Sequence, residues 1–115
     1  MLIQRHELEP LLANVVAAGD QVFTAGAIAD DTTLDVAGQT VQALADIERY
    51  LALCGSDKRQ ILSATIWLAD IRLRDDMNKA WLAWIDPAHL PARACVEAKM
   101  ADPRCLVEIA IVAAR

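Results

Sequence analysis

The chain is short of almost everything that advertises a metal site, a nucleic-acid interface or a membrane anchor. Histidine occurs only at His6 and His89, and the three cysteines, Cys54, Cys95 and Cys105, stand far apart with no C-x-x-C among them. Structural zinc sites need four closely spaced thiolate or imidazole donors, so a zinc site is not expected. An odd, dispersed set of cysteines also offers no disulfide framework and suits a reducing compartment. Aromatic residues make up 4% of the chain, and 11 basic residues face 16 acidic ones for a net charge of −5. Nucleic-acid affinity rests mainly on cationic contacts to phosphate, and no stripe of Lys and Arg is present, which argues against RNA or DNA as a partner. No apolar run approaches the ~20 residues of a membrane span, and the opening Met1 to Glu7 has no long apolar core or cleavage pattern. The expectation is a cytoplasmic protein that binds neither membrane nor nucleic acid.

What the chain does have is apolar surface. Hydrophobic residues are 56% of its 115 positions, against ~45–50% in an average globular chain. That length suits one domain over residues 1–115, burying somewhat over ~60% of the surface the unfolded chain exposes. Much of the excess is alanine. A small domain this apolar still has surface to hide, which points to a homo-oligomer.

The elements follow from local pattern. The opening residues, through about Glu9, read as a short edge strand. Val15-Val16-Ala17-Ala18 and Gln21-Val22-Phe23-Thr24 flank Gly19-Asp20, a hairpin signal. Thr32 is the expected cap of a long helix, with Asp35 reaching back, and Ala37, Val41, Leu44, Ile47 and Leu51 recur on its apolar face. Gly55 supplies the left-handed residue that ends it, and Gly38 within it suggests close packing on a sheet. Ile61 to Ala69 reads as a strand and Arg74 to Ile85 as a second helix, with Met77, Trp81 and Trp84 or Ile85 on one face. Ala92 to Met100 and Leu106 to Ala113 close the chain as two more strands, expected to pair as a hairpin. The fold class is therefore α+β: β-β-α-β-α-β-β, plus the opening strand, with two helices on one face of a mixed sheet. The last strand is apolar on both sides except at Glu108, so a second copy of the chain is expected to cover the other face.

The informative constellation is Pro91-Ala92-Arg93-Ala94-Cys95-Val96-Glu97 followed by Leu106-Val107-Glu108-Ile109. Alternation puts Arg93, Cys95, Glu97 and Lys99 on one side and Ala94, Val96, Ala98 and Met100 on the other. The simplest arrangement packs the small side on the helices and turns the polar side away, with Glu108 opposite Cys95 across a hairpin. A register shifted by two would oppose Glu97 to Glu108, at a cost. Arg93 near a glutamate then has two readings. One is a plain ion pair. The other is a carboxylate clamp, since a guanidinium binds a carboxylate through two parallel hydrogen bonds and keeps its charge, with a glutamate beside it to move a proton.

These residues resemble the RidA (YjgF) family, whose signature is Pro-Ala-Arg, then small, Cys or apolar residues, then an apolar-Glu-apolar step. Arg93 and Glu108 have the spacing of that pattern. Phe23-Thr24-Ala25-Gly26 is similar to the family's strand ending in Ser-Gly, Gln39 and Asp46 fall on its long helix, and Asn78 falls in its second. The resemblance implies the family's chorismate-mutase-like fold, a homotrimer with each site in a cleft between subunits, and hydrolysis of reactive 2-imino or enamine acids to 2-oxo acids and ammonia. It implies Arg93, Cys95 and Asn78 as substrate-binding residues, Cys95 mainly through its backbone, and Glu108 as the catalytic residue that positions or activates water. It also implies no cofactor, because a protonated imine is already electrophilic. Two positions depart from the pattern: Leu12 stands where the family carries tyrosine, and Ala25 where it carries serine.

A non-catalytic trimer that keeps the Arg93 site and binds small carboxylates is the alternative, and a nuclease or translation inhibitor the third reading. Trp67, Trp81 and Trp84 read as packing residues and Cys54 as a small buried one. His6 and His89 read as surface or cap residues. Nothing marks either histidine as a base for Cys95. The run from Arg72 to Asp76 reads as a solvated loop and helix start.

Overall fold

A computed structural model describes residues 1–115. The strands are β1 (Ile3–Leu8), β2 (Ala13–Ala18), β3 (Gln21–Thr24), β4 (Ile61–Leu68), β5 (Ala92–Glu97) and β6 (Val107–Ala114). The helices are α1 (Val36–Leu53) and α2 (Arg74–Trp84), each with a short 3-10 turn nearby, at Lys58–Gln60 and Ile71–Leu73. All six strands form one mixed sheet in the order β1-β2-β3-β6-β4-β5. The expected order of strands and helices is thus borne out. Gly19 turns the β2–β3 hairpin with φ +59°, and Gly55 ends α1 with φ +72°, both conformations that glycine adopts without a Cβ penalty.

The expected C-terminal hairpin does not form. β5 pairs in parallel with β4, as a strand-helix-strand unit requires, and β6 lies on the other side of β4, antiparallel to both β4 and β3. The reason lies in β6 itself. Val107, Ile109, Ile111 and Ala113 are buried under the helices while Ala110 and Val112 lie on the opposite side. A strand apolar on both faces belongs at the centre of a sheet, and β5 at the edge cannot offer two neighbours. Glu108 consequently lies opposite Trp67, and Cys95 lies opposite Ile66.

The facing of β5 is also the reverse of the sequence expectation. Arg93 and Cys95 are level with Ala64 and Ile66, which are buried against the helices, so the polar side of β5 faces α2. At the sheet margin the arginine stem can pack while its head reaches water, so the long polar chain is accommodated there. Ala94 and Val96 instead join Phe23, Trp67, Ala110 and Val112 on the face that no helix covers.

Three helix details differ as well. Asp35, not Thr32, caps α1 by accepting from the Gly38 amide at 2.9 Å; Thr33 instead closes a small turn on Asp31. Asp35 stands directly before Val36, the first helical residue, so its carboxylate is the one within reach of the Gly38 amide. Gly38 lies beside the Leu34 and Asp35 side chains, not against the sheet. Val41 points outward and is 59% exposed, while Gln39, Thr40 and Ala43 take the buried stripe.

Gln39 is the polar pin of this packing. Fully buried, its amide donates to the Thr32, Leu34 and Arg104 carbonyls and accepts from the Leu106 amide at 2.8 Å. It thereby ties α1 to the residues that lead into β6 and Glu108. Leucine at this position would match the volume but strand buried backbone groups, costing about 2–3 kcal/mol. Gln39→Leu is expected to lower the melting temperature by on the order of 10 °C at fixed protein concentration. A thermal unfolding curve by circular dichroism within a degree or two of the parent would refute the pin.

Candidate functional site

Asn78, Trp81 and Leu82 occupy one side of α2 by their three- and four-residue spacing, and that side meets the β5 margin. Together with Leu90, Pro91 and Arg93 they line a cleft of about 290 Å³. The Arg93 guanidinium carbon sits 5.3 Å from the centre of the Trp81 ring, a cation–π contact. No carboxylate pairs with Arg93: the ion pairs of the chain use Arg49, Lys58, Arg59, Arg72, Lys79, His89 and Arg104. Glu97, its neighbour on the same side of β5, is already engaged, accepting from the Ile71 amide at 3.0 Å. Within the chain, then, Arg93 makes no ion pair. The half-buried guanidinium thus lies over the indole with no acid paired to it within the chain.

Asn78 adds a second unmet group. Its Oδ1 is buried and has no hydrogen-bond partner, an uncommon state for a buried carbonyl oxygen. The structure thus brings two of the candidates, Asn78 and Arg93, into one cleft. Cys95 lies two residues further along the same side of β5, packed at the edge of the core and outside the cleft lining.

Glu108 lies elsewhere, on the uncovered face of the sheet, with β4 between its strand and that of Arg93. Its setting comes from a bulge. Phe23 pairs with Val112 and Ala27 with Ile109, so four steps along β3 and its continuation match three along β6. The extra residue falls at Thr24-Ala25-Gly26, and such insertions re-aim neighbouring side chains. The Glu108 carboxylate lies directly over the Gly26 Cα, where a Cβ would collide with Oε2, Cδ and Cγ. Glycine is needed there for space, not for backbone freedom. No ion pair or side-chain hydrogen bond holds the carboxylate, and it lines a cavity of about 280 Å³ with Trp67, Lys99 and Met100 among others.

Leu12 and Gly26 both border the largest cavity, about 530 Å³, at the end of β1 and β2. Most of its acids are committed. Glu7 and Asp46 hold Arg49, with Glu7 in the left-handed region at φ +51° so that both its oxygens reach the guanidinium at 3.1 Å, and Glu9 accepts from Asn14. The Ala25 amide donates to the Asn14 carbonyl. No three His, Cys, Asp or Glu side chains converge as a metal site.

The loops carrying these groups share one device. Asp57, Asp70 and Asp102 each accept from the backbone amide two residues on and from the arginine at that position, Arg59, Arg72 or Arg104. These hydrogen bonds hold the Asp70 and Asp102 carboxyls at about 2, below the ordinary carboxylate value. A depressed folded-state value means the unfolded chain binds the proton more readily. The contribution is therefore complete above about pH 4 and fades as pH falls toward 2. The melting temperature is expected to drop across that window, and the Asp70→Asn, Asp102→Asn double variant to drop less steeply. Equal slopes would show that these turns do not sense acid.

A sequence model of the family described as endoribonuclease L-PSP matches residues 6–115. The chain belongs to this family. Its relatives include a RutC family protein of Haemophilus ducreyi, 37% identical over 98% of this chain and 97% of that one. The RutC family protein YoaB of Escherichia coli is 40% identical over 99% of each. Among solved structures, a member of the YjgF protein family from Neisseria meningitidis superposes with a TM-score of 0.97 at 40% identity, covering 100% of this chain and 96% of the other. The RidA/YjgF resemblance seen in the Pro91–Glu97 and Leu106–Ile109 segments is thereby borne out over nearly the whole chain, and so is the α+β fold. No helix is long and apolar enough to cross a membrane.

Of the features that decide this site, Trp81 beneath Arg93 and the space over Gly26 were not legible as functional. The tryptophan reads as core from its helical spacing. The glycine could have been suspected from its place just after a strand, where an isolated glycine signals a bulge or a close approach.

Proposed function

We propose that this chain is a cytoplasmic 2-imino/enamine acid deaminase that works as a homotrimer, with Arg93 of one subunit and Glu108 of the next forming each site. The observation that carries the reading is the state of Arg93: stacked, fork free, beside a buried Asn78 carbonyl oxygen without a partner. A substrate carboxylate satisfies the fork through two parallel hydrogen bonds, and an imine N–H satisfies the Asn78 oxygen.

Two incomplete half-sites at different places on one chain call for a head-to-tail contact, in which the Arg93 region of one copy meets the Glu108 region of the next. Such contacts close into a ring when the rotation between copies is a whole fraction of a turn, a third of a turn for the proposed trimer. The apolar face bearing Phe23, Trp67, Val96 and Val112 gives the ring its buried surface. At the joined site Glu108 takes a proton from water as the oxygen adds to the imine carbon. It then returns that proton to the nitrogen of the carbinolamine, and as the C–N bond breaks the hydroxyl gives its own proton to the Glu108 carboxylate and becomes the carbonyl, so the 2-oxo acid and ammonia leave and Glu108 passes the proton to solvent. Cys95 lies two residues beyond Arg93 on the same strand, outside the cleft lining of the single chain, and enters this reading only as a backbone contact at the joined site. No cofactor is required for this sequence. The RNA-cleaving role in the family's description finds little support here, since the net charge is −5 and no stripe of Lys and Arg runs through the sequence.

The test is ammonia release from freshly generated 2-imino acids, beside light scattering for mass. Turnover by a trimer is the expected result. A monomer at micromolar concentration would remove the shared site, and 2-oxo acid binding without turnover would leave a carboxylate-binding trimer instead.

A further inference from the structure

We infer that each shared site takes 2-imino acids whose side chain ends in a second carboxylate, and that Lys99 is the residue that receives it. The inference rests on the deaminase reading and adds to it a substrate class.

The joined site collects its charges from two subunits. Arg93 is the only ionised side chain lining the cleft between α2 and β5, and it comes from one copy. Glu108 and Lys99 line the cavity of about 280 Å³ on the next copy, where the other lining residues are Trp67, Ala98, Met100 and Ala101. Lys99 differs from the other two lysines. Lys58 pairs with Glu48 and Lys79 with Asp76, whereas no acid pairs with Lys99. Glu108 borders the same cavity, yet the two side chains form no ion pair. An acid and a cation that face one cavity without touching are both free for a ligand.

The path of the chain explains the placement. β5 ends at Glu97, and Ala98 stays attached to the end of β4 through its amide, which donates to the Leu68 carbonyl at 2.9 Å. The residues that follow turn across the end of β4, so Lys99 reaches the cavity of Glu108 on β6, the strand on the other side of β4.

Counting charges then selects the ligand. The carboxylate common to all substrates takes Arg93, and a protonated imine carries its charge beside Glu108. Lys99 is left over. An apolar or neutral side chain leaves it without a partner, and a basic one places a second cation next to it. A side-chain carboxylate supplies the missing partner, while the methylenes before it lie along Trp67, Ala98 and Met100. Lysine suits this task better than arginine suits it, since a compact ammonium on a flexible stem can follow side chains of more than one length.

The experiment compares kcat/KM for imines freshly generated from glutamate and norvaline, which share a carbon count and differ in the terminal carboxylate. The parent, Lys99→Arg and Lys99→Met proteins are used. Each is also titrated by calorimetry with 2-oxoglutarate and 2-oxopentanoate as non-hydrolysed ligands. The parent is expected to favour the glutamate-derived imine by about ten-fold or more, the size of one charge-assisted hydrogen bond. Lys99→Arg should keep most of that preference, and Lys99→Met should bring the ratio close to one with the assembly mass unchanged by light scattering. A parent ratio near one in turnover and binding alike would overturn the assignment. So would a Lys99→Met variant that slows both imines equally, which would make Lys99 a partner of Glu108 only, or one that loses the trimer, which would place Lys99 in the subunit contact. If no imine is hydrolysed yet 2-oxoglutarate binds preferentially and Lys99→Met removes the preference, the deaminase reading fails while the second carboxylate site stands.

Discussion

Glu108→Gln is expected to keep the fold, the assembly and 2-oxo acid binding while losing about 10²–10⁴-fold in hydrolysis. The size of the effect follows from the setting of the side chain. Glu108 has no ion-pair partner and no side-chain hydrogen bond within the chain, so the amide leaves no buried cation unpaired. The glutamine occupies the same space over Gly26 and changes only the ability to accept and return a proton. Ammonia release and melting temperature, measured together, separate this from a structural role. Equal turnover of variant and parent would make Glu108 a structural residue only. Gly26→Ala tests the same carboxylate from beneath: its methyl group must push Glu108 aside, so turnover should fall with every carboxylate and proton-transfer group still present.

How much of this was legible in the sequence depends on which physical level each feature lives on. Strand and helix periodicities are local, and the order of elements came through intact, including the edge strand β1 and the glycine that ends α1. Pairing is not local. Nine residues separate β5 from β6, and nothing in that segment says that the chain crosses β4 before returning. The hydrophobic character of both faces of β6 did say so, and it outweighs adjacency in sequence. The facing of β5 was misjudged for a related reason: small residues at 94 and 96 look like a helix-packing side, but they face the side of the sheet that no helix covers. The Asp-x-Arg turns at 57, 70 and 102 repeat plainly in the sequence, yet their meaning appears only when the side chains close on their own backbones. Gln39 is the hardest case. A glutamine in a helix is ordinary, and only the fold shows that four backbone groups depend on it.

Arg93→Lys is expected to be nearly as damaging to turnover as Arg93→Ala, and the structure sharpens the comparison. Lysine keeps the charge but presents one compact ammonium, which can neither stack flat on Trp81 nor hold both carboxylate oxygens in a plane. Losing one partner of a desolvated, hydrogen-bonded charge pair commonly costs about 2–5 kcal/mol. At about 1.36 kcal/mol per decade, kcat/KM should fall roughly thirty-fold to several thousand-fold in either variant. Stability should behave differently. Because no acid pairs with Arg93 in the free protein, its removal orphans no buried charge, and the loss is limited to one cation–π contact of about 0.5–1 kcal/mol. Both variants should therefore melt within a few degrees of the parent. The two readings of this residue predict opposite pairings of effects: an ion-pair role gives an active lysine variant and an early-melting alanine variant, whereas a carboxylate clamp gives two inactive variants of nearly normal stability. Ammonia release and melting temperature for the parent and both substitutions decide between them. An active lysine variant would remove Arg93 from the chemistry, and with it the reason to pair its cleft with the Glu108 of a neighbouring subunit.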